Sequence, residues 1–284
     1  METVRRTLSP RVEGRVAVDA WRSRLALHGQ PPRGALLRRA VVGATFQAPQ
    51  RRGKLLLLPT TAGGLLVHLG MSGRLTVTDA AAPAAPHTHL RITFSDGTQL
   101  RYVDARRFGQ CQPFLGDALP PAWSQQGPDP LTRAFTEEVL AAALQGTRRA
   151  VKLALLDQAL LAGLGNIYAS EALWLARIHP ATPAGALLRA QVTALHHAVV
   201  TVLTDGVRHG GTTLRDYVDA RGGRGSHQDH LQAYGREGQP CARCGMPLRC
   251  SVLGQRSTFF CPVCQPSVHV GRQRRGKAAR LLGR

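Results

Sequence analysis

The sequence predicts an α+β fold of several domains, and three observations carry that prediction. The first third alternates apolar and polar residues with the period of half-buried strands. A proline-rich break then gives way to apolar residues three and four apart, the spacing of a helix face. Near the far end, two close cysteine pairs frame a short β-like stretch.

In chain order, residues 2–9 read as either helix or strand, and GRVAVDAW (14–21) as a strand. Lys54 to Leu58 and Leu65 to Leu69 are short apolar strands. Leu90, Ile92 and Phe94 alternate with polar residues, and Asp96-Gly97 separates them from Leu100 and Tyr102, a hairpin signal. Residues 117–130 crowd five residues, Pro120, Pro121, Gly127, Pro128 and Pro130, into a linker after an N-terminal domain of 1–116. Helical spacing follows over 134–145, 150–161, 167–176 and 184–205, within a domain of 131–231. Gly210-Gly211-Thr212-Thr213 reads as the start of one more helix, and 220–228 as a glycine-rich loop. A cysteine module of 232–266 comes next, then a basic tail of 267–284 expected to be disordered and to add salt-sensitive DNA affinity.

The chain has 284 residues and a net charge of +20, from 37 basic and 17 acidic residues. A field of that size points to a polyanion, first of all nucleic acid; an arginine-rich genome is the plain alternative. No run of about twenty apolar residues is free of charge, so no membrane span is expected. No secretory leader is expected either, so six cysteines in a chain this long fit a reducing cytoplasm better than a disulfide framework. Lys54, Lys152 and Lys277 are the only lysines; a lysine inside a motif of this chain invites a chemical reason, because lysine can lose its proton where arginine cannot.

Cys241 and Cys244, then Cys261 and Cys264 after sixteen residues, have the spacing of a closed four-thiolate zinc site, which is structural. Cys250 lies between the pairs as a spare thiol, and Cys111 reads as a small core residue. Arg256 falls at the tip of the hairpin between the pairs, well placed for a phosphate. LLDQALLAGLGNIYASEALW (155–174) reads helix, turn, helix, and its turn delivers the amides around Asn166 to an anion; a plain N-cap is the alternative. In VHLGMSGRL (67–75) two glycines flank Met71, which is either core filler or a projecting probe. In DARRFG (104–109) Arg106 and Phe108 share a face if the chain is extended, which suits a wedge into stacked bases. Lys54 stands where the basic RRGK run becomes an apolar strand.

Together these motifs resemble the formamidopyrimidine-DNA glycosylase family. ETVRRTLSP, RRGKLLLL, HLGMSG, DARRFG, GNIYASE, HPA, GGTTLRDY, AYGREGQPC and QRSTFFC occur in the family's order along nearly the whole chain. The resemblance implies an N-terminal β-sandwich, a helix–two-turn–helix domain and a C-terminal zinc finger built on a β-hairpin, with damaged duplex DNA between them. It implies a monomeric, bacterial, nucleoid-associated base-excision enzyme that removes oxidised purines, 8-oxoguanine and formamidopyrimidines, and cuts the strand by β- and δ-elimination. Such enzymes flip the target nucleotide out of the stack. Carried over by position, Met71 fills the vacated space, Arg106 pairs with the orphaned cytosine and Phe108 wedges beside it. Lys54 serves the lesion phosphate and the elimination, with Arg256 as its catalytic companion on the hairpin. His87, Arg148, Lys152 and Asn166 complete the DNA-binding set, and one zinc ion is the cofactor. HLGMSG with RRF favours this branch over the endonuclease VIII branch.

Three departures stand out. Ala105 replaces the proline usual in DPRRFG, and RGGRGSHQDH lacks the aromatic often found where the flipped base is gripped. The family pattern also opens Met-Pro-Glu-Leu-Pro-Glu-Val before Glu-Thr-Val-Arg-Arg, and Met1 stands at that valine. The missing stretch holds the nucleophilic N-terminal proline and its adjacent glutamate. The expectation is a GTG valine codon read as a start. A truncated, catalytically silent lesion-binding protein is the second reading, and a general zinc-ribbon DNA-binding protein the third.

Overall fold

The computed structural model describes residues 1–214 and 217–267. Helix α1 (Glu2–Val12) opens the chain; Val4, Leu8 and Val12 recur one turn apart and are all buried, which resolves the ambiguous opening stretch as helix. Glu2 lies in its first turn, where a carboxylate suits the helix dipole, and accepts from Arg5 and Arg6.

Eight strands follow: β1 (Ala17–Arg22), β2 (Gln50–Arg52), β3 (Leu55–Thr60), β4 (Gly63–His68), β5 (Arg74–Asp79), β6 (Thr88–Phe94), β7 (Thr98–Val103) and β8 (Gln110–Leu115). They form two antiparallel sheets, ordered β1-β6-β7-β5 and β2-β3-β4-β8. Leu56, Leu58, Leu65 and Val67 of one sheet share a core with Leu75, Ile92, Phe94 and Tyr102 of the other, so the domain is a sandwich. Helix α2 (Gly34–Val41) adds Leu37, Ala40 and Val41 to that core. The uninterrupted leucine run of β3 has a simple cause: Leu55 and Leu57 point the other way, into a second cluster with Phe114 and Trp123 of the short helix α3 (Pro121–Ser124). At the β6–β7 turn the Asp96 carboxylate accepts from Thr98 N–H, and Gly97 takes φ of 81°.

The helical domain contains α4 (Glu137–Leu144), α5 (Val151–Leu156), α6 (Asn166–Leu175) and α7 (Arg189–Arg208) around one apolar core. Helix α5 is shorter than its pattern because Asp157 closes it, accepting from Ala159 N–H to begin the turn that leads to α6. The helix expected from Gly210 does not form among the described residues. Gly210 and Gly211 adopt φ of 72° and 95°, the left-handed conformation that ends α7, and Gly211 N–H returns to the Gly206 carbonyl.

Strands β9 (Arg249–Leu253) and β10 (Arg256–Phe260) form the C-terminal hairpin, turning through Gly254 and Gln255, both at positive φ. Apart from Ser267, the basic tail lies outside the described residues. Among the described residues, no helix is long and apolar enough to cross a membrane.

Candidate active site and DNA interface

The three parts of the chain meet around Lys54. It directly precedes β3, and its Nζ donates to the Leu164 carbonyl, 2.6 Å away in the turn between α5 and α6. Gly165 adjoins it; a Cβ there would lie in ordinary contact, 3.7 Å from Nζ. Burial lowers the Lys54 pKa to about 8, and the Arg256 charge on the hairpin adds to the shift. At pH 7 the ammonium still dominates, but a neutral fraction is within easy reach.

Two adjoining cavities, of about 230 and 200 Å³, share Met1, Lys54 and Tyr217 on their walls. The first also takes Gly163, Tyr168, Gly206 and Thr212, and the second takes His68 and Met71. Met1 is partly buried, and desolvation of its α-amine, then the Arg51 charge, lowers its pKa to about 6. The cavity therefore favours a neutral amine.

A buried ionic bridge fixes this corner. Arg51 donates to Asp129 through two nitrogens, at 2.6 and 3.1 Å, and to Glu2 at 3.0 Å. Asp129 also accepts from Gly53 N–H at 2.7 Å, which sets the turn immediately before Lys54. The Arg51 and Asp129 side chains are 8 % and 7 % exposed. Burial would raise the Glu2 pKa, but the Arg5, Arg6 and Arg51 donors outweigh it and bring it down to about 2.

Lys152 and Asn166 behave differently from expectation. Lys152 is completely buried, and its Nζ donates to the Ser257 carbonyl at 2.7 Å and to Thr258 Oγ1 at 2.8 Å. A phosphate cannot reach an ammonium enclosed this way; Lys152 ties α5 to the hairpin. Asn166 Nδ2 donates to the same Ser257 carbonyl at 3.0 Å, so its amide braces the hairpin too. The donors left for an anion are the first-turn N–H groups of α6. Arg256, beside this bond, is exposed.

Across from this junction, Met71 is 67 % and Phe108 46 % exposed. Arg106 and Phe108 sit on a turn rather than a strand, with the guanidinium 4.6 Å from the ring centroid. The turn is held from beneath by Asp104, which accepts from Ser72 at 2.5 Å, Gly109 N–H at 2.8 Å and Tyr102 at 3.0 Å. Burial would raise the Asp104 pKa, and these donors lower it overall. His87 is exposed at positive φ, beside a loop whose carbonyls are gathered by the buried Arg101. Arg148 is exposed on the turn between α4 and α5.

The four cysteines form the metal site. Sulfurs of Cys241, Cys244, Cys261 and Cys264 all lie within 4.8 Å of one another, which suits a tetrahedral ion with sulfur ligands about 2.3 Å away. Four thiolates leave no open position, so this is the site of one structural zinc ion. Cys250 is outside the group. The finger is docked by Arg243, which donates to the Trp174 and Leu175 carbonyls at the end of α6. Glu171 docks it again, accepting from the N–H groups of Gln232, Ala233 and Tyr234 at 2.7–2.9 Å. Sequence reasoning missed Glu171, Arg51 and Asp129. An acidic residue inside the apolar SEALW stretch was the available signal for Glu171.

A sandwich, a helix–two-turn–helix and a zinc hairpin converging on one basic, partly enclosed site define a DNA-lesion-processing class of protein. Family models agree along the chain: the formamidopyrimidine-DNA glycosylase N-terminal domain matches residues 1–111, its H2TH domain 126–218, and the zinc finger found in FPG and IleRS 238–266. The chain is 45 % identical over 270 residues to a formamidopyrimidine-DNA glycosylase of Chloroflexus aggregans, covering 93 % of this chain and 96 % of that protein. It is also 45 % identical to one from Symbiobacterium thermophilum, covering 94 % and 88 %. Among solved structures, the Lactococcus lactis Fpg with DNA containing an abasic site matches with a TM-score of 0.84 at 35 % identity, over 94 % of this chain and 98 % of that one. An FPG mutant from the same organism with DNA containing Fapy-dG matches at 0.85 and 35 %, with the same coverage. The chain belongs to the formamidopyrimidine-DNA glycosylase family.

Proposed function

We propose that this protein is a DNA glycosylase and AP lyase that excises oxidised purines from damaged duplex DNA. The observation that carries the reading is the cavity shared by Met1 and Lys54, enclosed enough to keep an amine neutral and bordered by the exposed Met71. A neutral amine attacks a sugar carbon, displaces the base and forms an imine; the imine then drives elimination of the flanking phosphates. The family pattern implies an N-terminal proline as the attacking amine, and this cavity is where that amine would act. Lys54, with its lowered pKa, carries protons to and from the reacting sugar and meets the lesion phosphate. Arg256 and the amides of α6 hold the neighbouring phosphates. Met71, Arg106 and Phe108 occupy the gap in the helix and read the orphaned base, while His87 and Arg148 engage the backbone farther out.

Borohydride trapping of protein purified from its own cells, on a duplex with one oxidised purine, tests the reading. A covalent adduct whose mapped peptide is the N-terminal one is expected. Absence of any adduct, with lesion binding intact, would shift the reading to a silent lesion-binding protein.

A further inference from the structure

Four aromatic rings cluster beside the cavity. His230 stacks on His209 with centroids 3.9 Å apart, His209 on His227 at 5.5 Å, and His227 on Tyr168 at 5.4 Å. His227 and His230 are themselves 6.2 Å apart, so the three imidazoles close a triangle. The rings come from three segments: Tyr168 from α6, His209 from the C-terminal cap of α7, and the other two from the 3-10 turn His227–His230. His230 is exposed, His227 is 5 % exposed, and Tyr168 lies in the cavity wall.

The cluster is coupled to that wall by hydrogen bonds. The Tyr168 and Thr212 hydroxyls are 3.0 Å apart. His227 N–H donates to the Gly211 carbonyl at 3.1 Å, and Ser226 N–H to the His209 carbonyl at 2.9 Å. A Cβ on Gly206 would stand 2.3 Å from the Tyr168 hydroxyl, so the ring has no slack against α7. Gly206, Gly211, Thr212 and Tyr168 all line the larger cavity.

The imidazoles constrain one another's protons. Nδ1 of His209 and Nδ1 of His227 are 3.3 Å apart, so one carries hydrogen and the other a lone pair. His209 and His230 lie face to face, where two cations repel. Among the described residues, the charged groups nearby are Asp205 and Arg208 on α7, paired at 3.3 Å, and Asp229 on the turn; Tyr168 adds a hydroxyl. Burial lowers the His227 pKa and the neighbouring histidines lower it further, against Asp205. A base with a depressed folded pKa supports the fold above its unfolded value and loses that support as pH falls through the folded one.

We propose that His227 is a positioning residue for the cavity: neutral and packed among His209, His230 and Tyr168, it holds Gly211 and Thr212 in the wall, and its protonation releases them. The inference rests on the reading that this cavity receives the lesion sugar.

His227→Phe keeps a ring in the stack and removes its titration; His230→Phe, at the exposed end, is the companion should His227→Phe fail to fold. Two readouts apply. In single-turnover excision, the ratio of variant to wild-type rate is expected to rise about fivefold between about pH 7.5 and about pH 5.5. In amide exchange corrected for intrinsic rates, wild-type residues 210–214 and 225–231 are expected to lose protection over that range while the variant keeps it. A flat rate ratio, or equal loss of protection in both proteins, overturns the proposal. Absence of excision by both proteins at every pH defeats the functional reading instead, and the exchange comparison then decides the role of His227 alone.

Discussion

On one wall of the site Lys54, Lys152 and Asn166 donate to protein carbonyls, and Arg51 and Asp129 satisfy each other out of solvent. On the other wall Met71 and Phe108 stand open, and the Arg106 guanidinium packs over the ring beside it. The sequence motifs on the two walls look alike, short and basic with glycines, yet their energetics differ. Buried polar groups cost stability unless paired, so the first wall is committed to holding three domains in register. An exposed apolar side chain costs little in the free protein and gains when it enters a base stack, so the second wall is free to probe DNA. Mutations on the first wall should therefore move stability and geometry together. Those on the second should move recognition alone.

The largest effect is expected from zinc removal. Chelation, or Cys261→Ala, should unfold the hairpin and strip Arg256 from the site, weakening lesion-DNA binding about tenfold or more, since one charged hydrogen bond is worth ~1.5–3 kcal/mol. Metal content and binding measured on the same sample check this. Next comes Asp129→Ala, which leaves buried Arg51 with the Glu2 carboxylate and the Gly53 carbonyl, and frees Gly53 N–H. A loss of about 3 kcal/mol in chemical denaturation is expected. If that variant unfolds like the wild type, the buried bridge is not what joins the domains. Lys152→Met should cost about 1–3 kcal/mol, by leaving one lone pair on Thr258 Oγ1, whose hydroxyl still donates to the Arg256 carbonyl, and one on the Ser257 carbonyl unpaired, with little change in the salt dependence of DNA binding. A reduced salt slope would restore Lys152 to the phosphate contacts.

Phe108→Ala should leave stability within about 0.5 kcal/mol, as surface changes do, yet reduce the preference for lesion over undamaged duplex. A stability loss as large as that of Asp129→Ala would break the contrast between the walls. The smallest effect concerns pH. Glu2 falls from the usual 4.5 to about 2 in the folded chain. A carboxylate with a lowered folded pKa contributes stability above its unfolded value, and that contribution disappears as pH falls from about 4.5 towards about 2. Denaturation of Glu2→Gln across that range should be flatter than wild type.

Much of this was legible in the sequence because local chemistry decides it. The cysteine spacing and the Asp96-Gly97 hairpin each state their geometry within a few residues, whereas the Gly-flanked Met71 reads as core filler or probe until the fold exposes it. Long-range pairing left no such mark. Nothing near Arg51 announces Asp129, and nothing in VKLALL distinguishes an enclosed Lys152 from an exposed one. Gly210-Gly211 shows the limit from the other side. Glycines at a helix boundary signal an end or a beginning equally well, and only the left-handed angles here identify an end. The histidine cluster was invisible for the same reason as the ionic bridge, since His209 and His227 meet only in the fold.

The most direct test of the account is single-turnover cleavage of a duplex carrying one oxidised purine, beside the same duplex undamaged, by wild type and Lys54→Ala. The account predicts a cut at the lesion alone, slowed in Lys54→Ala while lesion binding survives. Equal affinity for both duplexes with no cut in either, or cleavage indifferent to Lys54, would contradict it.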